Sequence, residues 1–110
     1  IPNFIALTPW PGGIYRNYLA TNDKGVTKEV MYAMLTYYDV KNFAPWITCP
    51  VYMGVGLQDP ICPPRTNFAP YNLLKSEKRF AIYPETGHGV RMGDFAPKAY
   101  GWLIEKFGVK

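Results

Sequence analysis

Two short apolar runs, separated by one helix-length stretch, constrain this chain more than any other feature. Pro50–Leu57 reads PVYMGVGL, near-continuous and valine-bearing, as in a strand covered on both faces. Arg79–Tyr83, RFAIY, is a second β-prone run. Between them, TNFAPYNLLK reads as a helix. Its Pro70 is tolerable only in the first turn, where a backbone N–H has no partner to lose.

The same alternation extends to both sides. IPNFIAL predicts a first strand, stopped at Thr8-Pro9-Trp10-Pro11-Gly12-Gly13, and a variable stretch runs on to about Gly25. Val26–Tyr38 carries apolar residues at 30, 31, 34, 35 and 38, the spacing of a helix packed on one face. Asp94–Lys106 aligns Phe95, Ala99, Leu103 and Phe107 on one stripe, with Asp94 as N-cap. Strand, helix, strand, helix, strand, helix is an α/β order, parallel β-strands alternating with helices. Three strands leave one long edge unpaired. Residues 1–110 are therefore expected to be one incomplete domain, the carboxyl-terminal part of something larger or a chain that pairs with another.

Composition narrows the classes. At 48% hydrophobic and 16% aromatic the chain has the makings of a packed core. Its net charge of +4 is scattered without a basic cluster, which argues against nucleic acid and against an anionic membrane. No run reaches the roughly 20 apolar residues of a membrane span, and the opening residues lack the layout of a signal peptide. Cys49 and Cys62 flank the PVYMGVGL strand, so they should lie some ~25 Å apart, beyond the ~7 Å reach of a disulfide. Two thiols with a single histidine also make a poor zinc site, and neither metal nor cofactor is expected.

The chemistry-bearing residues lie where the two strands end. In an open parallel sheet, ligands bind outside the carboxyl ends of the strands. QDPICPP leaves the first strand and carries Asp59; PETGHG leaves the second and carries His88, the only histidine in the chain. On neighbouring strands ~4.8 Å apart the two side chains can meet, the aspartate fixing the tautomer of a general base. Acid before base is also the chain order of α/β-hydrolases. Yet Asp-Pro is an ordinary turn and Gly-His-Gly an ordinary flexible loop, and spacing alone leaves both readings open. No nucleophile completes a triad. Ser76, the only serine, lies among charges at a helix end and reads as a surface loop residue, and there is no G-x-S-x-G. Cys62 reads as a small apolar side chain beside a proline turn.

The stretch YYDVKNFAPWITCPVYMGVGLQDPICPPRTNFAPYNLLKSEKRFAIYPETGH resembles the acetyl xylan esterase family, which includes the cephalosporin C deacetylases. The resemblance is carried by Tyr38-Asp39, Asn42-Phe43-Ala44, Cys49-Pro50, Gly56-Leu57 and Asp59. It continues through Pro63-Pro64, Thr66, Phe68-Ala69 and Tyr71-Asn72 to Gly87-His88. It implies an α/β-hydrolase fold and a Ser-Asp-His triad that removes acetyl groups from sugars and small esters, with Asp59 as the acid and His88 as the base. The family's serine and oxyanion donors precede anything present here, so this chain resembles the last third of such an enzyme. The implied partners are an acetylated saccharide or small ester and an amino-terminal segment bearing the serine; a homo-oligomer is the partner that the unpaired strand edge leaves open. The rival expectation is a non-catalytic assembly piece, pairing through its strand edge and recruiting a partner or sugar with Trp10, Tyr15 and Trp46.

Overall fold

Val51–Gly56 (β1) and Lys78–Tyr83 (β2) pair in parallel, Val51 opposite Lys78 and Gly56 opposite Tyr83. This computed structural model describes residues 12–108; the strand expected in IPNFIAL, and Trp10, lie outside the described residues. Both strands match their expected positions to within a residue at each end. Val55 is 1% exposed, as a strand covered on both faces requires.

The crossover between the strands is Pro64–Leu73 (α4), named for its place after Gly12–Thr21 (α1), Lys28–Thr36 (α2) and Val40–Phe43 (α3). Pro63-Pro64 starts it with a fixed φ, and the Thr66 hydroxyl donates to the Pro63 carbonyl at 2.7 Å. Pro70 falls in the second half of this helix rather than its first turn, correcting the expectation. One helical hydrogen bond is forgone there, and packing offsets it: the Tyr71 ring stacks on Phe80 at 4.3 Å and Phe68 meets Phe80 edge-on at 5.1 Å.

Met92–Phe107 (α5) follows β2. Tyr52 of β1 meets Phe95 edge-on at 5.4 Å and Trp102 at 5.5 Å. Because side chains alternate along a strand, Tyr52 and Phe80 (opposite Met53 in register) point to opposite faces, so α4 and α5 cover different sides of the sheet. The stripe on α5 differs from expectation: Phe95, Ala99 and Trp102 turn inward, while Leu103 and Phe107 are exposed. Nor is Asp94 the N-cap. The helix begins two residues earlier, and Asp94 lies in its first turn.

α2 forms where periodicity places it, with the Thr27 hydroxyl as N-cap acceptor for the Val30 N–H. Its apolar face is only partly packed: Met31 is buried and Leu35 half-buried, whereas Val30 and Met34, and Tyr38 just beyond the helix, are exposed. α1 occupies part of the variable stretch. Among the described residues the sheet has these two strands alone, each with one unpaired edge, and no helix is long and apolar enough to cross a membrane.

Candidate active site

The two loops that leave the sheet are joined beyond the strand ends. The Leu57 N–H donates to the Tyr83 carbonyl at 3.0 Å and the Gln58 N–H to the Thr86 carbonyl at 3.0 Å. The Gln58 side-chain amide adds a bond to the Pro84 carbonyl at 3.2 Å. Parallel pairing thus runs past the last strand residues and carries the segment around His88 over the segment around Asp59.

Close approach is allowed by glycine in β1. A Cβ on Gly56 would lie 2.2 Å from the Gly87 carbonyl oxygen and 2.4 Å from that of Thr86. A Cβ on Gly54 would lie 2.8 Å from Val90 Cγ1 and 3.0 Å from the Phe95 ring. Sequence reasoning missed both roles, although glycine inside a strand pattern signals just such an approach. The left-handed residues after the histidine are Val90 and Arg91, at φ 46° and 45°, and not the glycines flanking it.

Asp59 is 7% exposed and held from two sides. Its Oδ1 accepts from the backbone N–H groups of Ile61 and Cys62, at 2.8 and 2.9 Å. Its Oδ2 lies 2.9 Å from His88 Nδ1. Burial pushes the Asp59 carboxyl up. The Cys62 N–H, the histidine and the Ile61 N–H outweigh it and hold the group below the usual carboxylate range. A charged Asp59 makes Nδ1 the protonated nitrogen, so Nε2 carries the lone pair. The His88 side chain is 55% exposed, its free nitrogen able to take a proton from a reactant outside the sheet.

The far end of the histidine loop is tied down by Tyr83, whose hydroxyl donates to Asp94 Oδ2 at 2.8 Å; Lys98 donates to the same oxygen at 2.6 Å. This links the end of β2 to the start of α5 and brackets the intervening loop. Ser76 precedes β2, at the opposite end of the sheet from His88, and is half-buried rather than a surface residue. The two cysteines are free thiols, Cys49 exposed and Cys62 half-buried. Cys62, expected as a small apolar side chain, has its sulfur within 4.8 Å of a carboxylate oxygen of Asp59 and a ring nitrogen of His88, all three within that distance of one another. Burial, and then the Asp59 charge, push its thiol pKa up, so it is not an activated nucleophile. Of the aromatics expected to recruit a partner, Tyr15 is half-buried and Trp46 is exposed, packed edge-on against Phe43 at 5.9 Å.

Comparison with known proteins places these features in one family. Residues 14–106 match the family model described as acetyl xylan esterase (AXE1), a longer stretch than the 37–88 segment that carries the sequence resemblance. An acetyl esterase of Xylanibacter ruminicola is 46% identical over 54 residues, 49% of this chain and 12% of that protein. Acetyl xylan esterase 1 from a Thermoanaerobacterium species superposes with a TM-score of 0.75 at 37% identity, over 84% of this chain and 29% of the other. An acetyl xylan esterase from a Paenibacillus species gives 0.70 at 32% identity, with the same coverage. The chain thus spans less than a third of each relative, and its architecture is that of the α/β-hydrolase fold.

Proposed function

The chain belongs to the acetyl xylan esterase family, and from that premise we propose that it is the carboxyl-terminal segment of a serine deacetylase acting on acetylated carbohydrate. Asp59 is the triad acid and His88 the base; the serine and the oxyanion donors come from a segment not contained in this chain. The observation that carries this reading is the 2.9 Å contact between Asp59 Oδ2 and His88 Nδ1 at the carboxyl ends of two parallel strands. The unpaired edges of the sheet and the exposed apolar face of α2 support a covering segment, since such surfaces are rarely left to water.

The Asp59–His88 geometry supports the following chemistry. His88 Nε2 takes the serine proton as the serine oxygen attacks the acetyl carbonyl, and Asp59 stabilises the imidazolium that forms. The imidazolium then protonates the departing sugar oxygen, leaving an acetyl-serine. In the second half His88 deprotonates water, which attacks the acetyl group and releases acetate and the serine.

The test is complementation. Alone, the 110-residue chain hydrolyses p-nitrophenyl acetate no faster than free imidazole, because it lacks both the attacking oxygen and the donors for the developing charge. Co-expression with an upstream segment carrying the serine restores turnover, and His88→Ala abolishes it. Enzyme-like rates from the chain alone, or no gain from the added segment, overturn the reading in favour of the assembly piece.

A further inference from the structure

We propose that Asp59, Cys62 and His88 form a binding site for a borderline-soft divalent cation of the Zn2+ class. One carboxylate oxygen, one thiol sulfur and one ring nitrogen already converge within 4.8 Å of one another. Tetrahedral zinc holds such donors at roughly 2.0–2.3 Å, which sets them about 3.3–3.8 Å apart, so closure needs movement on the order of 1 Å.

The carboxylate is prepared for the task. Asp59 Oδ1 is fixed by the Ile61 and Cys62 N–H groups, leaving Oδ2 on the side of His88 to serve as ligand. Holding a metal ligand by its other atom is the usual outer support of a zinc site. The donor set of oxygen, nitrogen and sulfur selects against Mg2+ and Ca2+, which require oxygen alone. Counting thiols and histidine along the sequence understated this site, because its third donor is a carboxylate that only the fold brings near. On coordination the Cys62 thiol releases its proton to solvent, the His88 proton shifts from Nδ1 to Nε2 so that Nδ1 can ligate the ion, and a water completes the fourth position on the exposed side of His88. The ion would take the same atoms that the proposed deacetylation uses, making bound metal an inhibitor. That consequence rests on the esterase reading; the binding does not.

Cadmium tests the site directly through its thiolate charge-transfer band. The whole chain is used in a Cys49→Ser background, so that only Cys62 can give the band, with helical circular dichroism as the check on folding. The expected result is one saturating equivalent of Cd2+, displaced by Zn2+ and not by Mg2+. Cys62→Ser should abolish the band, and His88→Gln and Asp59→Asn should each weaken binding by at least ~10-fold. Absence of the band in folded chain, or binding unchanged in both His88→Gln and Asp59→Asn, overturns the proposal and leaves a lone thiol. No ester hydrolysis is read, so this result and the complementation result stand or fall separately.

Discussion

Gly56 and Gly87 approach so closely that a Cβ on Gly56 would lie 2.2 Å from the Gly87 carbonyl oxygen. The contact is backbone to backbone, so no side-chain rotation relieves it. It fixes how near the histidine loop comes to the aspartate loop, and hence whether His88 and Asp59 meet.

Gly56→Ala should therefore act on both stability and activity. Overpacking at this point costs about 1–3 kcal/mol, read by denaturant unfolding. In the complemented enzyme a shift of His88 by about 1 Å lowers turnover by up to ~100-fold. Gly89→Ala is the control, since a Cβ there meets nothing within 4 Å. Equal behaviour of the two variants would remove the steric argument.

Asp59 gives the site a defined acid limit. Its folded pKa lies below the ordinary carboxylate value, so the stability it contributes is complete above that value, near pH 4, and is lost as pH falls through the depressed one. Wild type should thus exceed Asp59→Asn in stability at neutral pH, with the gap closing on acidification. In the complemented enzyme Asp59→Asn presents an amide to Nδ1, favours the wrong tautomer and lowers kcat by ~10⁴-fold. A stability gap independent of pH would show that the charged carboxylate is not what matters.

The cysteines should separate kinetically. Cys49 is exposed, whereas the Cys62 thiol is pushed up by burial and by the Asp59 charge. A chromogenic disulfide reagent at neutral pH should find one fast and one slow thiol in the folded chain, and two fast ones in denaturant. A folded chain with no free thiol contradicts the structure.

Much of this was legible because it is local. The runs at Val51–Gly56 and Lys78–Tyr83 announce themselves by composition, and α4 and α5 by their helix-length place after each strand, although the inward stripe of α5 differs from the one its period suggests. Parallel pairing then makes the meeting of Asp59 and His88 a matter of topology. What escaped depends on the third dimension. The glycines at 54 and 56 look like weak strand residues until the loop that crosses them is known. Cys62 gains meaning only from its neighbours in space. The face of α2 has the right period for packing, yet period does not say whether a partner surface exists within the chain. Left-handed backbone at Val90 and Arg91 has no signature at all, since both residues disfavour it.

That last feature yields a clean comparison. Arg91 is exposed and sits just before α5 with φ 45° and ψ 55°, a conformation in which a Cβ crowds the following carbonyl. Arg91→Ala and Arg91→Gly both remove the guanidinium, and with it the attraction that helps hold the Asp94 carboxyl below its usual range after the larger contributions of Lys98 and Tyr83. They differ only in the Cβ. Arg91→Gly should therefore fold more stably than Arg91→Ala by about 1 kcal/mol, the left-handed penalty less the greater freedom glycine has when unfolded. The measurement is the difference in denaturation midpoint between the two variants at constant slope. An alanine variant as stable as the glycine variant, or more so, would mean that the backbone at this position is not left-handed, and the turn that aims the chain from His88 into α5 would have to be redrawn.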